Sequence, residues 1–195
     1  MIPASAQSVG APAASAQWRD WAACGSLILL VWGVFFPTLF GGFLWYDNIL
    51  ITGNPLITSP GHLADIWLGR GTPDYWPVTY TSWWIDWRIF GRSPAGYHAL
   101  NVSLHSLSAV LLWRILKQLA LPGAWIAAAI WAVHPVNVES VAWIAERKNT
   151  LSMCLALGSV LAWMASEKPR RREERKGRRE EILFYCLSIF WWNCK

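Results

Sequence analysis

Cysteine is scarce in this chain and badly spaced for any of its special uses. Cys24, Cys154, Cys186 and Cys194 are the only four among 195 residues, and no two form a C-x-x-C pair. That pattern excludes a disulfide framework or a cysteine zinc site, and reads as four small packing residues in or near apolar runs. Charge is scarce too, at 15% of residues. Met1 to Gln17 has no charged side chain and is rich in Ala, Ser, Pro and Gly, so residues 1–20 read as a disordered tail. The net charge of +5 invites a nucleic-acid reading, but the excess sits in one block, which argues against such a partner.

What replaces charge is apolar surface: 54% of residues are hydrophobic and 16 are Trp. Ala22 to Trp45 runs 24 residues without a charge. At about 1.5 Å per residue that is roughly 36 Å of helix, enough to cross a hydrocarbon layer of about 30 Å with some tilt. A cleaved secretory signal fits poorly, because the run is too long and ends in Gly41-Gly42-Phe43-Leu44-Trp45 instead of a small-x-small site. The expected fold class is an all-α membrane protein with four to five transmembrane helices. Spans are expected near 22–45, 98–119, 123–133 and 150–165, with a truncated fifth over 182–195. Leu121-Pro122-Gly123 is a tight connector.

Orientation follows from residues 167–181, where Lys168, Arg170, Arg171, Arg172, Arg175, Lys176, Arg178 and Arg179 make a basic loop. The positive-inside rule places this loop, and with it the N-terminus, in the cytoplasm. Residues 46–97 and 134–149 then share the outer face. In the first of these, Trp76, Tyr80, Trp83 and Trp87 recur at helical spacing. They predict an amphipathic helix lying in the interface with its aromatic side toward lipid. Within the second span, Asn101 and His105 lie four apart and read as interhelical hydrogen-bonding residues.

Ionisable groups at the membrane boundary are costly and point to function. Asp47 follows the first span by two residues, where a lipid-borne headgroup would sit. In the second outer segment, Pro135 suits a first helical turn. Glu139, Trp143 and Glu146 then fall on one helical stripe, and Arg147-Lys148 close it. Paired bases there suit a phosphate oxyanion, and they suit equally an internal Glu–Arg/Lys network that anchors the loop. The His134-to-Glu139 spacing is not a metal signature, and no metal is assigned.

The runs Tyr97-His98, Asn101, Leu104-His105, His134-Pro135-Val136-Asn137-Val138-Glu139-Ser140-Val141-Ala142-Trp143 and Glu146-Arg147-Lys148-Asn149-Thr150-Leu151-Ser152 resemble the type C membrane glycosyltransferase superfamily. The likeness is to its O-mannosyltransferase-like group, which carries tetratricopeptide repeats after the membrane domain. Trp45-Tyr46-Asp47-Asn48, Asn54-Pro55-Leu56 and Pro73-Asp74-Tyr75-Trp76-Pro77-Val78-Thr79 match in order and spacing, so the resemblance covers roughly residues 25 to 165. Where the family commonly has two adjacent acids, this chain has Tyr46-Asp47.

The resemblance implies transfer of a sugar, mannose by likeness, from a polyprenyl-phosphate donor to a hydroxyl of a protein or glycan, with no further cofactor. Asp47 maps onto the general base. A carboxyl with an ordinary pKa near about 3.9 is ionised at neutral pH and can take the acceptor proton. Arg147 and Lys148 are the candidates for neutralising the departing lipid phosphate, and His134, Glu139 and His98 for holding sugar or acceptor. The expected location is a bacterial inner membrane. A chain that stops in its fifth apolar run, with no 34-residue repeat, reads as the N-terminal piece of a longer protein. A catalytically silent membrane piece is the alternative.

Overall fold

The computed structural model describes residues 13–166. The expected basic loop at 167–181 and the fifth span at 182–195 lie outside them, as does most of the tail at 1–20. Nine α-helices are described: α1 (Ala13–Phe35), α2 (Trp45–Asp47), α3 (Pro55–Thr58), α4 (Leu63–Trp67), α5 (Pro77–Phe90), α6 (Pro94–Gln118), α7 (Ala124–Val133), α8 (Asn137–Ala142) and α9 (Arg147–Ser166). There is no strand among the described residues.

Three helical stretches are long and apolar enough to cross a membrane: Gln17–Phe40, Pro94–Gln118 and Ile144–Ser166. This makes the chain a multi-pass membrane protein in length and composition. The first differs from its expected limits at both ends. Helix α1 is already formed at Ala13, inside the stretch read as a disordered tail, because Ala13-Ala14-Ser15-Ala16 favours a helix and runs without a break into the apolar stretch. It ends at Phe35 because Pro37 lacks an N–H and crowds the carbonyl four residues back, and a 3-10 turn, Phe36–Phe40, follows. The apolar residues up to Trp45 therefore leave the span at Gly41. Helix α7, at 10 residues, is too short to be a fourth full crossing.

Helix α6 is the axis. It packs against α9, α1 and α7. Pro94 at its first turn needs no hydrogen bond there. Its serines return their hydroxyls to the turn below, Ser103 to Ala99, Ser106 to Val102 and Ser108 to Leu104, so small polar residues line the helix without orphaned groups. Ala124, Ala128, Ala129 and Ala132 give α7 a shallow face that lets the backbones approach closely. His105 donates from Nε2 to the Ala132 carbonyl at 2.8 Å, while Asn101 donates its Nδ2 hydrogens to the Val141 and Trp143 carbonyls. Both residues act as the interhelical polar contacts expected of them. At the opposite end of the bundle, Lys117 of α6 pairs with Asp20 of α1. Cys24 and Cys154 are buried free thiols.

The segment between α1 and α6 has its own core. Leu50, Ile51, Leu56, Ile57, Ile66, Tyr80, Trp83 and Tyr97 pack with Ile144 and Ala145. Helix α5 is thereby turned over relative to expectation. Tyr80 and Trp83 are fully buried, and the outward face carries Val78, Ile85 and Ile89. The large aromatic surfaces bury more area than the aliphatic ones, so the inward position is the more favourable for them.

Candidate functional site

The two segments expected on one face do meet. The Asp47 carboxylate accepts at Oδ1 from the Ala145 N–H (2.7 Å), across 98 residues of chain, and at Oδ2 from the Leu44 N–H (2.8 Å). Its local setting explains why. Asp47 ends the single turn of α2, and its carboxylate folds back on the N-terminal amide in the manner of a capping box. Asp47 is fully buried. Burial pushes its carboxyl above the ordinary 3.8, while the Leu44 and Ala145 amides pull it back; the Trp143 indole leans the same way without completing a hydrogen bond.

Arg147 is turned into the fold. Its guanidinium is fully buried, with Nε on the Asn101 Oδ1 (2.8 Å), one terminal nitrogen on Asp86 and the other on the Tyr97 carbonyl (2.9 Å). Of the two readings left open for it, phosphate and an internal acid–base network, these contacts are of the second kind: a clamp between α5, α6 and α9, closed by Asp86 on the inward face of α5. Burial pushes the Asp86 carboxyl up, and the Arg147 charge opposes the shift. Neither Asp86 nor its partnership was legible in the sequence. The available signal was its place three residues after Trp83, on the aromatic stripe.

Lys148 is different. Its side chain is 28% exposed, its Nζ lies 2.6 Å from Glu146 Oε1, and it stands 4.8 Å from the centre of the Trp76 ring. Glu146 also takes the Asn149 amide at 2.7 Å. The expected single helix from 137 through 146 is interrupted. Helix α8 ends at Ala142, Trp143 is extended, and Ile144–Glu146 form a 3-10 turn, so Glu139 and Glu146 do not share a stripe. The reason is Asn101, which draws the Val141 and Trp143 carbonyls toward α6 and out of the helical pattern. Glu139 is exposed, and the half-buried His134 accepts from the Val136 N–H at 3.3 Å. His98 is buried against Gly41 and Ala142, with neither ring nitrogen completing a hydrogen bond among the described residues.

Around Asp47 and Lys148 lies an aromatic cluster. Tyr46 meets Trp143 edge-on at 6.3 Å, Trp76 stacks over Tyr80 at 6.4 Å, and Tyr80 meets Trp83 edge-on at 5.3 Å. Burial, with Asp74 and Tyr46 nearby, pushes the Tyr80 hydroxyl up to about 12. The Tyr80 hydroxyl and the Trp83, Trp84 and Trp143 indole nitrogens are buried without a partner among the described residues. Such groups ordinarily cost about 1–3 kcal/mol each, so finding several in one place sets this end of the molecule apart.

Known proteins similar to this chain in sequence are protein O-mannosyl-transferases. The chain is similar to the protein O-mannosyl-transferase F38B6.6 of Caenorhabditis elegans, 28% identical over 62% of this chain and 20% of that protein. It is 27% identical to protein O-mannosyl-transferase TMTC4 of Homo sapiens, over 77% of this chain and 23% of that one. It is 31% identical to TMTC1 of Mus musculus, over 80% and 18% respectively. No protein-family model matches the chain, and no solved structure matches it. The chain spans about a fifth of the length of the curated relatives it matches. Over that small part, it is a distant homologue of the TMTC protein O-mannosyl-transferases, the tetratricopeptide-repeat-containing group of type C glycosyltransferases.

Proposed function

We propose that this chain forms the donor-side end of a membrane glycosyltransferase that moves a sugar, mannose by relationship, from a polyprenyl-phosphate donor to a hydroxyl of a protein. The observation that carries the reading is the Asp47–Ala145 contact, which joins the two polar segments three residues before Lys148. In the reaction, the acceptor oxygen bonds to the anomeric carbon while Asp47 takes its proton. The bond from that carbon to the phosphate oxygen breaks, and the electron pair leaves with the lipid phosphate. Lys148, half-exposed beside Trp76, meets the phosphate charge. Arg147 acts behind it as an anchor, the exposed Glu139 and the half-buried His134 reach toward the acceptor, and His98 supports the floor. The site faces away from the cytoplasm, with the N-terminus cytoplasmic.

A raised carboxyl pKa makes Asp47 a stronger base, and burial is what raises it. That same burial, with both oxygens on backbone amides, favours a second reading in which Asp47 only clamps the two segments and the chain is catalytically silent. The test is mannose transfer from a polyprenyl-phosphate mannose to a hydroxyl-bearing peptide by membranes containing the chain. Removing a general base by Asp47→Asn is expected to slow transfer by about 10²–10⁴-fold. Unchanged turnover in that variant would eliminate Asp47 as the base. Donor binding without any transfer by the unaltered chain would establish the silent reading.

A further inference from the structure

The turn that carries Asp47 is apolar on both sides. Helix α2 runs on into a π-helical turn, Asn48–Thr52. Its inner face is Asp47, Leu50 and Ile51, all fully buried. Its outer face is Leu44, Trp45, Asn48 and Ile49, with Trp45 75% and Ile49 62% exposed among the described residues. A helical turn that rests on a core in water keeps its other face polar. Here that face has only Asn48, whose Oδ1 already accepts from the Thr52 hydroxyl at 2.8 Å.

The height of the turn follows from the spans. Lys117 of α6 pairs with Asp20 of α1, and such charges mark one edge of the hydrocarbon layer. A layer of about 30 Å takes about 20 residues of helix. Along the first span that count leads from Asp20 to Phe40, and along α6 it leads from Lys117 back to Tyr97. The two counts agree, because the next residues on both helices touch: a Cβ on Gly41 would lie 3.2 Å from Nε2 of His98. The second edge of the layer therefore falls at Phe40–Gly41 and Tyr97–His98. Asp47 is held at that edge. It accepts from the Ala145 amide, two residues after Trp143, whose carbonyl binds Asn101 one helical turn inside Tyr97. The exposed face of the turn also continues, along the chain, the exposed apolar surface of Phe36 and Phe40 on the first span.

We propose that Leu44, Trp45 and Ile49 form a lipid-seated ridge, which rests where headgroups meet acyl chains and holds the Asp47 turn in the membrane surface. An indole suits that boundary, with an apolar body and one N–H donor, and Leu44 and Ile49 suit the acyl side. The occupant is lipid because the ridge extends the lipid surface of the first span at the depth where the hydrocarbon ends. The inference stands apart from the transferase reading: it concerns what supports the turn, whatever Asp47 does there.

The experiment uses the 195-residue chain in vesicles of palmitoyl-oleoyl phosphatidylcholine. The photoreactive residue benzoylphenylalanine replaces Trp45, Ile49 or Leu29, one at a time. Leu29, 74% exposed midway along the first span, is the reference for lipid contact. Illumination should join lipid to the Trp45 and Ile49 variants as readily as to the Leu29 variant. Fragmentation of the adducts should place the new bond within about 5–10 Å of the headgroups for Trp45 and Ile49, and near the acyl chain ends for Leu29. In the unaltered chain, a phosphatidylcholine with a diazirine beside its ester carbonyl should label the peptide that contains residues 44–49. That measurement decides the matter should the variants fail to fold. Adducts with a second copy of the chain, adducts with residues 182–195, or no lipid on the ridge while Leu29 takes it up would each overturn the proposal. So would bonds near the acyl chain ends at Trp45 and Ile49, which would sink the turn below the boundary.

Discussion

Asp86 and Arg147, 61 residues apart in sequence, form an ion pair that is closed to solvent on both sides. The pair does not stand alone. Arg147 also holds Asn101, and Asn101 holds the two carbonyls that bracket Ala142, three residues short of the amide that binds Asp47. A buried charge on α5 is thereby linked, bond by bond, to the carboxylate of the candidate site.

Removing one member of a buried pair leaves the other uncompensated. Asp86→Asn or Arg147→Met should each destabilise the folded chain by about 3–5 kcal/mol. The double replacement Asp86→Leu with Arg147→Met should cost much less than the sum. Thermal unfolding in detergent, read by circular dichroism, measures the cycle; additive losses would count against the pairing.

Asn101→Leu keeps the volume of the side chain and removes its hydrogen bonds to Arg147, Val141 and Trp143. The Ala145 amide should then exchange its hydrogen at least about tenfold faster, since about 1.4 kcal/mol of lost protection corresponds to a factor of ten. The Leu44 amide, held by the other Asp47 oxygen within the same turn, should change less.

Asp47 carries a pH dependence of definite sign. Its folded pKa lies above the ordinary 3.8, so the folded state binds the proton more readily than the unfolded one. Its contribution to stability is complete below that ordinary value and is lost as pH rises through the raised one. Wild type should therefore lose stability relative to Asp47→Asn across that window. The base needs the ionised form, so the acid limb of mannose transfer should fall above pH 3.8. Unfolding free energies and transfer rates from pH 3 to 8 check both statements.

Gly96 lies under a ring. A Cβ built on it falls 2.3 Å from Cγ of Phe90, well inside contact distance and near the root of that side chain. Gly96→Ala should displace Phe90 from Tyr97, which it now meets at 6.1 Å. The cost should be about 1–3 kcal/mol, the ordinary price of overpacking. Denaturation midpoints of Gly96→Ala alone and with Phe90→Ala give the test: the second change should relieve the first.

Much of the architecture could be read from the chain because it rests on local pattern. Charge-free runs marked the long helices, and Asn101 and His105 announced themselves as polar groups on an apolar helix. The meeting of residues 46–97 with 134–149 followed from counting passages. What could not be read depended on partners distant in sequence. The stripe from Trp76 to Trp87 is equally good for lipid or for protein, and only the core made by Leu50, Ile57, Ile66 and Ile144 decides for protein. In the sequence Arg147 is open between a phosphate and an internal acid, and the acid it meets, Asp86, could not be named because it lies on another helix. The continuous helix expected through Glu146 failed for the same reason, since the residue that pulls it apart, Asn101, belongs to α6.

The brevity of α7 has a geometric consequence. Ten residues rise about 15 Å, whereas the 25 of α6 rise about 37 Å. The chain turns aside at His134 when it is level with His105, and crosses α6 at Asn101. The polar segment therefore rests on a ledge partway up the bundle, with taller helices on its flanks. The charges set back in that ledge, Asp47, Asp86 and Arg147, are walled from bulk water and act on one another through a weaker dielectric than they would on an open surface.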